Sequence, residues 1–149
     1  MKIFVTGVAG FIGYHTSKAL LARGDEVVGI DSMNEYYDVT LKEARLKELQ
    51  KEEGFTFVKG DIADRACIEG LFKRHSDIAG LINLAAQAGV RYSLIDPYAY
   101  VHANLMGFVT LLESAKTLKN LKHFVYASSS SVYGANEKKP SSVDDRIEK

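Results

Sequence analysis

Cysteine, net charge and long apolar runs are what this sequence has least of. Its one cysteine, Cys67, excludes an internal disulfide framework and a cysteine-rich metal site. Lys and Arg number 19 and Asp and Glu number 19, so the formal net charge is zero. A basic footprint for nucleic acid and a polybasic membrane patch are both missing, and neither partner is expected. The longest uncharged stretch, Pro97–Leu112, contains His102, Asn104 and Thr110. It is shorter than the ~18 residues a membrane span needs. Met1-Lys2-Ile3-Phe4-Val5 runs straight into a glycine-rich turn, leaving no room for a signal peptide. At 149 residues, the expectation is one soluble, cytosolic α/β domain.

What is present alternates in period. Short β-rich runs (Lys2–Thr6, Glu26–Ile30, Thr56–Val58, Gly80–Leu84 and His123–Ala127) are separated by longer helical patterns. That is the signature of βαβ units and a parallel sheet covered on both faces. The first helix is expected from Phe11 to Gly24, with Ile12, Thr16, Ala19 and Leu20 facing inward. A charged helix, with Glu43 and Lys47 spaced to pair, is expected over Leu41–Glu53. Asp64 reads as the N-cap of a third helix carrying Ile68, Leu71, Phe72 and His75. The helix over Pro97–Leu118 repeats Tyr98, Val101, Leu105, Phe108, Leu112 and Ala115, with Met106, Val109 and Leu111 widening its apolar surface. Either it is deeply buried, or it meets a second partner such as another subunit. The fold expected is a Rossmann-type, doubly wound parallel sheet of order 3-2-1-4-5. Residues 1–134 would form this domain. Residues 135–149 read as an exposed polar tail leading toward a missing substrate domain.

Gly7-Val8-Ala9-Gly10-Phe11-Ile12-Gly13 joins the first strand to the first helix. Gly7 permits a tight turn, Gly10 lets backbone approach a pyrophosphate, and Gly13 allows close helix–strand packing. The following helix N-terminus offers free amides and a positive dipole to phosphate. Phe11 and Ile12 belong to this cofactor-binding turn. Asp31 ends the second strand 18 positions after Gly13, near the offset of a ribose-binding acid. With Ser32 after it and no Arg in Ser32-Met33-Asn34, the pattern favours NAD over NADP. A turn Asp capping a strand end is the structural alternative. Asp61 and Ile62 follow the third strand, where an adenine amino group and ring face would lie. Leu84, Ala85, Ala86 and Gln87 follow the fourth, with small residues where a dinucleotide passes.

In five segments the chain resembles the extended short-chain dehydrogenase/reductase family of nucleotide-sugar epimerases and dehydratases. They are Thr6–Gly13, Gly60-Asp61-Ile62, Leu84-Ala85-Ala86, Asn104-Leu105-Met106-Gly107 and Ser128-Ser129-Ser130-Ser131-Val132-Tyr133-Gly134. Asp31–Lys42 and Ala86–Ser93 are similar to stretches of the subgroup that epimerises UDP-glucuronate at C4. The resemblance implies bound NAD, oxidation of C4 to a 4-keto sugar and re-reduction, feeding polysaccharide precursor synthesis. It implies a UDP-uronic acid as substrate in the full-length protein. It also implies a homodimer through the 97–118 helix. Asn104 is carried over as a cofactor-side residue and Gln87 as a substrate-side one. Ser129 matches the family's catalytic Ser/Thr, while Ser128 and Ser130 would line the sugar pocket and donate to its carboxylate. A plain polar loop is the structural alternative. Arg91 would pair with an anionic sugar or diphosphate, or form an ordinary surface ion pair.

The family's base is the Tyr of a Tyr-x-x-x-Lys motif, and no such motif stands at a suitable place in these residues; Tyr133 is not its replacement. A chain of these residues is therefore expected to bind NAD without epimerising. Related 4,6-dehydratases carry Asp-Glu directly after the catalytic Ser/Thr; here those positions are Ser130 and Ser131. Neutral hydroxyls cannot do that acid–base work. His15, His75, His102 and His123 are scattered without a carboxylate companion, so no metal site is expected.

Overall fold

The computed structural model describes residues 1–134 and 140–145. Five strands, β1 (Lys2–Thr6), β2 (Glu26–Asp31), β3 (Phe55–Lys59), β4 (Gly80–Asn83) and β5 (His123–Tyr126), form one sheet of order 3-2-1-4-5. Every pairing is parallel. The strands stand where their apolar runs predict, with ends shifted by a residue. Part of the expected polar tail, residues 135–139 and 146–149, lies outside the described residues.

Alternation along the strands divides the core in two. Phe4, Val28, Ile30 and Leu81 point to one face with Ile68, Leu71 and Phe72 of α3 (Arg65–Arg74) and Leu111 and Ala115 of α5 (Gly107–Ala115). Phe4 meets Phe72 edge to face at 5.1 Å. Ile3, Val5 and Val27 point the other way, to Leu20 of α1 (Phe11–Ala22) and Leu49 of α2 (Val39–Leu49). Each buried valine, leucine, isoleucine or phenylalanine among them contributes about 1.5–3 kcal/mol by leaving water.

Three expectations are corrected. The buried line of α1 is Gly13–Ser17–Leu20, not the one through Ile12 and Ala19; Ile12 is 60% exposed. Without a Cβ, Gly13 lets the helix settle on the turn below it, and that contact sets the helix rotation. α2 starts earlier, because Asp38 caps it by accepting from Thr40 N at 2.9 Å, and it ends at Leu49. Glu43 and Lys47 form no ion pair.

The long helix is also not regular. It runs as α4 (Pro97–Tyr100), a π-helical stretch (Val101–Met106), then α5. Its sheet-facing residues are Gly107, Thr110, Leu111, Ser114 and Ala115. Most of the stripe read from the sequence faces outward: Tyr98, Val101, Leu105 and Leu112, with Met106 and Val109, are 41–81% exposed. The helix is therefore not buried all round.

Candidate functional site

The sheet order reverses at β1, which lies between β2 and β4, and a crevice opens beyond the carboxyl ends of these strands. Its volume is about 360 Å³. Gly7, Gly10, Asp31, Ser32, Asp61, Ile62, Leu84, Ala85, Ala86 and Gln87 all line it, so most of the residues selected from the sequence converge here.

The glycine turn forms its floor. Gly7 has φ +69°, and a Cβ there would stand 2.9 Å from the amide nitrogen of Ala85. Gly7 N donates to the Ile30 carbonyl at 2.8 Å, tying the turn to the end of β2. α1 then starts after Gly10 with no side-chain cap and no acidic residue in its first turn. By contrast, α2, α3 and α4 are capped by Asp38, Asp64 and Asp96. Open amides at the positive end of a helix dipole suit a phosphate group.

Asp31 is 8% exposed, and both its oxygens are engaged. Oδ2 accepts from Ala9 N at 3.0 Å and Oδ1 from Met33 N at 2.9 Å. A carboxylate has about four acceptor positions, so capacity for ribose hydroxyls remains.

Residues 34–45 bring in groups to which the sequence reading gave no role. Lys42 is 4% exposed; its Nζ donates to the backbone oxygen (2.9 Å) and Oδ1 (2.7 Å) of Asn34 and lies 4.5 Å from the centre of the Tyr37 ring. Burial pushes the Lys42 pKa down, and the Asp31 charge opposes that shift. Burial likewise raises the Tyr37 phenol, against the pull of nearby Arg45. Arg45 donates to the Ala9 carbonyl at 3.3 Å. Lys42 was detectable in principle: it sits seven residues before Leu49, on that residue's buried face of α2.

Thr6 joins the two halves of the crevice. Its fully buried hydroxyl donates to Asn83 Oδ1 at 2.6 Å and accepts from Leu84 N at 3.0 Å and Ala85 N at 2.9 Å. Thr6→Val keeps the shape but leaves two amides and one amide oxygen without their partner. Each costs about 1–3 kcal/mol. Urea denaturation should show a loss of about 3 kcal/mol or more; an unchanged midpoint would mean the loop holds itself.

Beyond Ala85 the loop is held from the helix above. Asn104 accepts from Gln87 N at 2.8 Å and donates to Gln87 O at 3.0 Å, while the Tyr100 hydroxyl donates to the Ala88 and Gly89 carbonyls. Asn104 thus acts on the loop and does not line the crevice. Tyr36, which does line it, packs at a tilt against Tyr92, with ring centres 4.9 Å apart.

At the far end, Asp61 Oδ1 accepts from Ala63 N at 2.8 Å and Oδ2 lies 2.7 Å from His102 Nε2. His102 therefore has the carboxylate companion that the linear sequence did not reveal. Ile62 is 5% exposed, packed in the main core where Gly107 has no Cβ to displace it.

The remaining candidates stand outside the crevice lining. Phe11 and Ile12 are exposed at the start of α1, and Gly13 is buried beneath the turn. Ser128, Ser129 and Ser130 are exposed after β5, with Ser129 Oγ accepting from Ser131 N at 3.1 Å. Arg91 is exposed on a 3-10 turn and forms no ion pair with any described residue. Tyr14 and Lys18 have Tyr-x-x-x-Lys spacing, but Tyr14 packs against the α1-side core and Lys18 pairs with Glu52 at 2.6 Å.

Comparison with known proteins gives consistent matches. The family profile for GDP-mannose 4,6 dehydratase matches residues 4–148. An uncharacterized 37.6 kDa protein of Escherichia coli O111:H- is 51% identical over 99% of this chain and 43% of its own length. A probable UDP-glucuronate 4-epimerase of Rhizobium meliloti is 50% identical, again over 99% of this chain and 43% of its own. The crystal structure of a mutant UDP-glucuronic acid 4-epimerase from Bacillus cereus holds UDP-4-deoxy-4-fluoro-glucuronic acid and NAD. It superposes with TM-score 0.87 at 38% identity, over 99% of this chain and 46% of that one. The chain thus spans less than half the length of these relatives. Among the described residues, no helix is long and apolar enough to cross a membrane.

Proposed function

Since the chain belongs to the GDP-mannose 4,6 dehydratase family, of the short-chain dehydrogenase/reductase type, we propose that it is the NAD-binding part of a UDP-sugar 4-epimerase. We propose UDP-glucuronate as the sugar nucleotide. The observation that carries the cofactor reading is the uncapped α1 N-terminus, set at the switch-point crevice beside Asp31. Glycines where a Cβ would fill the cradle, open amides and one buried carboxylate fit a dinucleotide. The similarity to UDP-glucuronate 4-epimerases supports the choice of substrate. Ser130 and Ser131, in place of an acid pair, weigh against dehydration although the family's name includes it.

Bound NAD supplies the hydride acceptor and donor for the sugar C4. The amides of Phe11 and Ile12, at the uncapped start of α1, hold the pyrophosphate, while the Gly10 amide closes the turn on the Gly7 carbonyl at 3.0 Å. Asp31 takes the ribose hydroxyls on its free lone pairs, with Ser32 and the Lys42 ammonium beside it. Asp61 accepts from the adenine amino group. Leu84, Ala85 and Ala86 leave room for the nicotinamide half, and Asn104 keeps Gln87 in place at the sugar side. Ser129 keeps its own proton to donate while accepting from Ser131 N, so it orients the C4 hydroxyl; Ser128, Ser130 and Arg91 bind the uronate or diphosphate. Residues 1–134 constitute this unit.

Asp31→Ala tests the cofactor reading. NAD affinity should fall about 10- to 100-fold, the effect of losing charge-assisted hydrogen bonds. NADP affinity should fall less, because repulsion of its 2′-phosphate goes too. Equal losses for both, by calorimetric titration, would leave Asp31 only its bonds to Ala9 and Met33.

The outward stripe of α4, the π stretch and α5 is a face for a second copy of the chain. Sedimentation velocity should show weight-average mass rising with concentration. A concentration-independent monomer would remove that partner.

A further inference from the structure

We infer that His102 is a positioning residue for the adenine end of the crevice, holding the Asp61 carboxylate so that it accepts from the purine 6-amino group. The inference rests on the NAD reading above. Asp61 is 44% exposed, and on its own such a carboxylate turns freely about its last bond. Here each oxygen has a separate anchor: Ala63 N on Oδ1 at 2.8 Å, and His102 Nε2 on Oδ2 at 2.7 Å. The second anchor comes from a residue 41 positions away, on a different element. With Nε2 carrying the proton, His102 donates, and the remaining lone pairs of Asp61 keep one direction.

The surroundings distinguish this pair from a surface ion pair of little worth. His102, Ala99 and Ala103 line the crevice together with Ile62. Two alanines and an isoleucine give this end of the crevice an apolar lining, with Asp61 and His102 as the polar groups beside it. The backbone also departs from regularity here. His102 and Asn104 both lie in the π-helical stretch Val101–Met106, and Asn104 binds Gln87 while His102 binds Asp61. π-turns are rare, and they recur at functional sites.

The test compares NAD with nicotinamide hypoxanthine dinucleotide, in which a carbonyl oxygen replaces the 6-amino group. Binding of each to the 149-residue chain is measured by calorimetry. The wild-type chain should prefer NAD about tenfold, the worth of one hydrogen bond to a charged acceptor. His102→Leu should reduce that preference to about twofold. His102→Gln, whose amide can still donate to Asp61, should restore most of it. His102 is 59% exposed, so both variants should fold, with melting points near the wild type's. Undiminished preference in His102→Leu would overturn the role of His102 while leaving the NAD reading intact. A Gln variant as indifferent as the Leu variant would make the ring itself the contact, which also overturns positioning. Failure of the wild-type chain to bind NAD at all would overturn the cofactor reading, and this inference with it.

Discussion

Gly13→Ala should destabilise the chain by about 3 kcal/mol or more and abolish NAD binding, whereas Gly70→Ala should stabilise it by about 0.5–1 kcal/mol. A Cβ on Gly13 would overlap the carbonyl oxygen of Gly7 and stand 3.0 Å from Val8 Cα. Those are backbone atoms of the turn, so no side-chain rotation relieves the overlap. α1 must lift from β1, and the amides at its start move away from the phosphate position. Gly70, in the middle of α3, has only the flexible end of Arg74 within 4 Å, at 3.5 Å. There alanine gains helix propensity without a clash. At about 2–4 °C of melting temperature per kcal/mol for a chain of this size, the two variants should separate by roughly 7 °C or more. Urea denaturation and NAD titration of both provide the check. If Gly13→Ala melts with the wild type, α1 does not depend on close approach.

A polypeptide limited to these 149 residues should give no detectable UDP-galacturonate from UDP-glucuronate and NAD. Hydride transfer from C4 requires the C4 hydroxyl proton to leave with it, and that calls for a base whose pKa is near the working pH. The serine cluster offers only hydroxyls, which orient a proton but do not take it. The one Tyr-x-x-x-Lys spacing, Tyr14 to Lys18, is committed to the α1-side core and to Glu52. Losing the base costs about 10²–10⁴-fold. Positioning of the sugar nucleotide is worth roughly 7–11 kcal/mol of barrier, and the crevice is proposed to hold the cofactor, not the sugar. The measurement is incubation followed by chromatographic separation of the two sugar nucleotides. Product at an enzymatic rate would place the base on a group other than the family's tyrosine, and Ser129→Ala would then report whether the serine cluster takes part.

What the sequence determined by itself is what depends on near neighbours. Strand runs, the glycine spacing between β1 and α1, the offset of Asp31 and the cap at Asp64 are patterns within a few turns of chain. Parallel strands joined by helices allow few orders, so 3-2-1-4-5 followed from them. The tertiary structure decided what depends on the direction from which a second element arrives. A stripe from Tyr98 to Leu112 reads equally as core or as a face for a second partner, and only docking through Gly107, Leu111 and Ala115 turned it outward. Lys42 is an ordinary helix lysine until the Asn34 loop folds over it. Thr6 meets Ala85 across 79 positions, and Asp61 meets His102 across 41. Contacts at such separations are set by which strand ends lie side by side, a property of the closed sheet that no local period encodes.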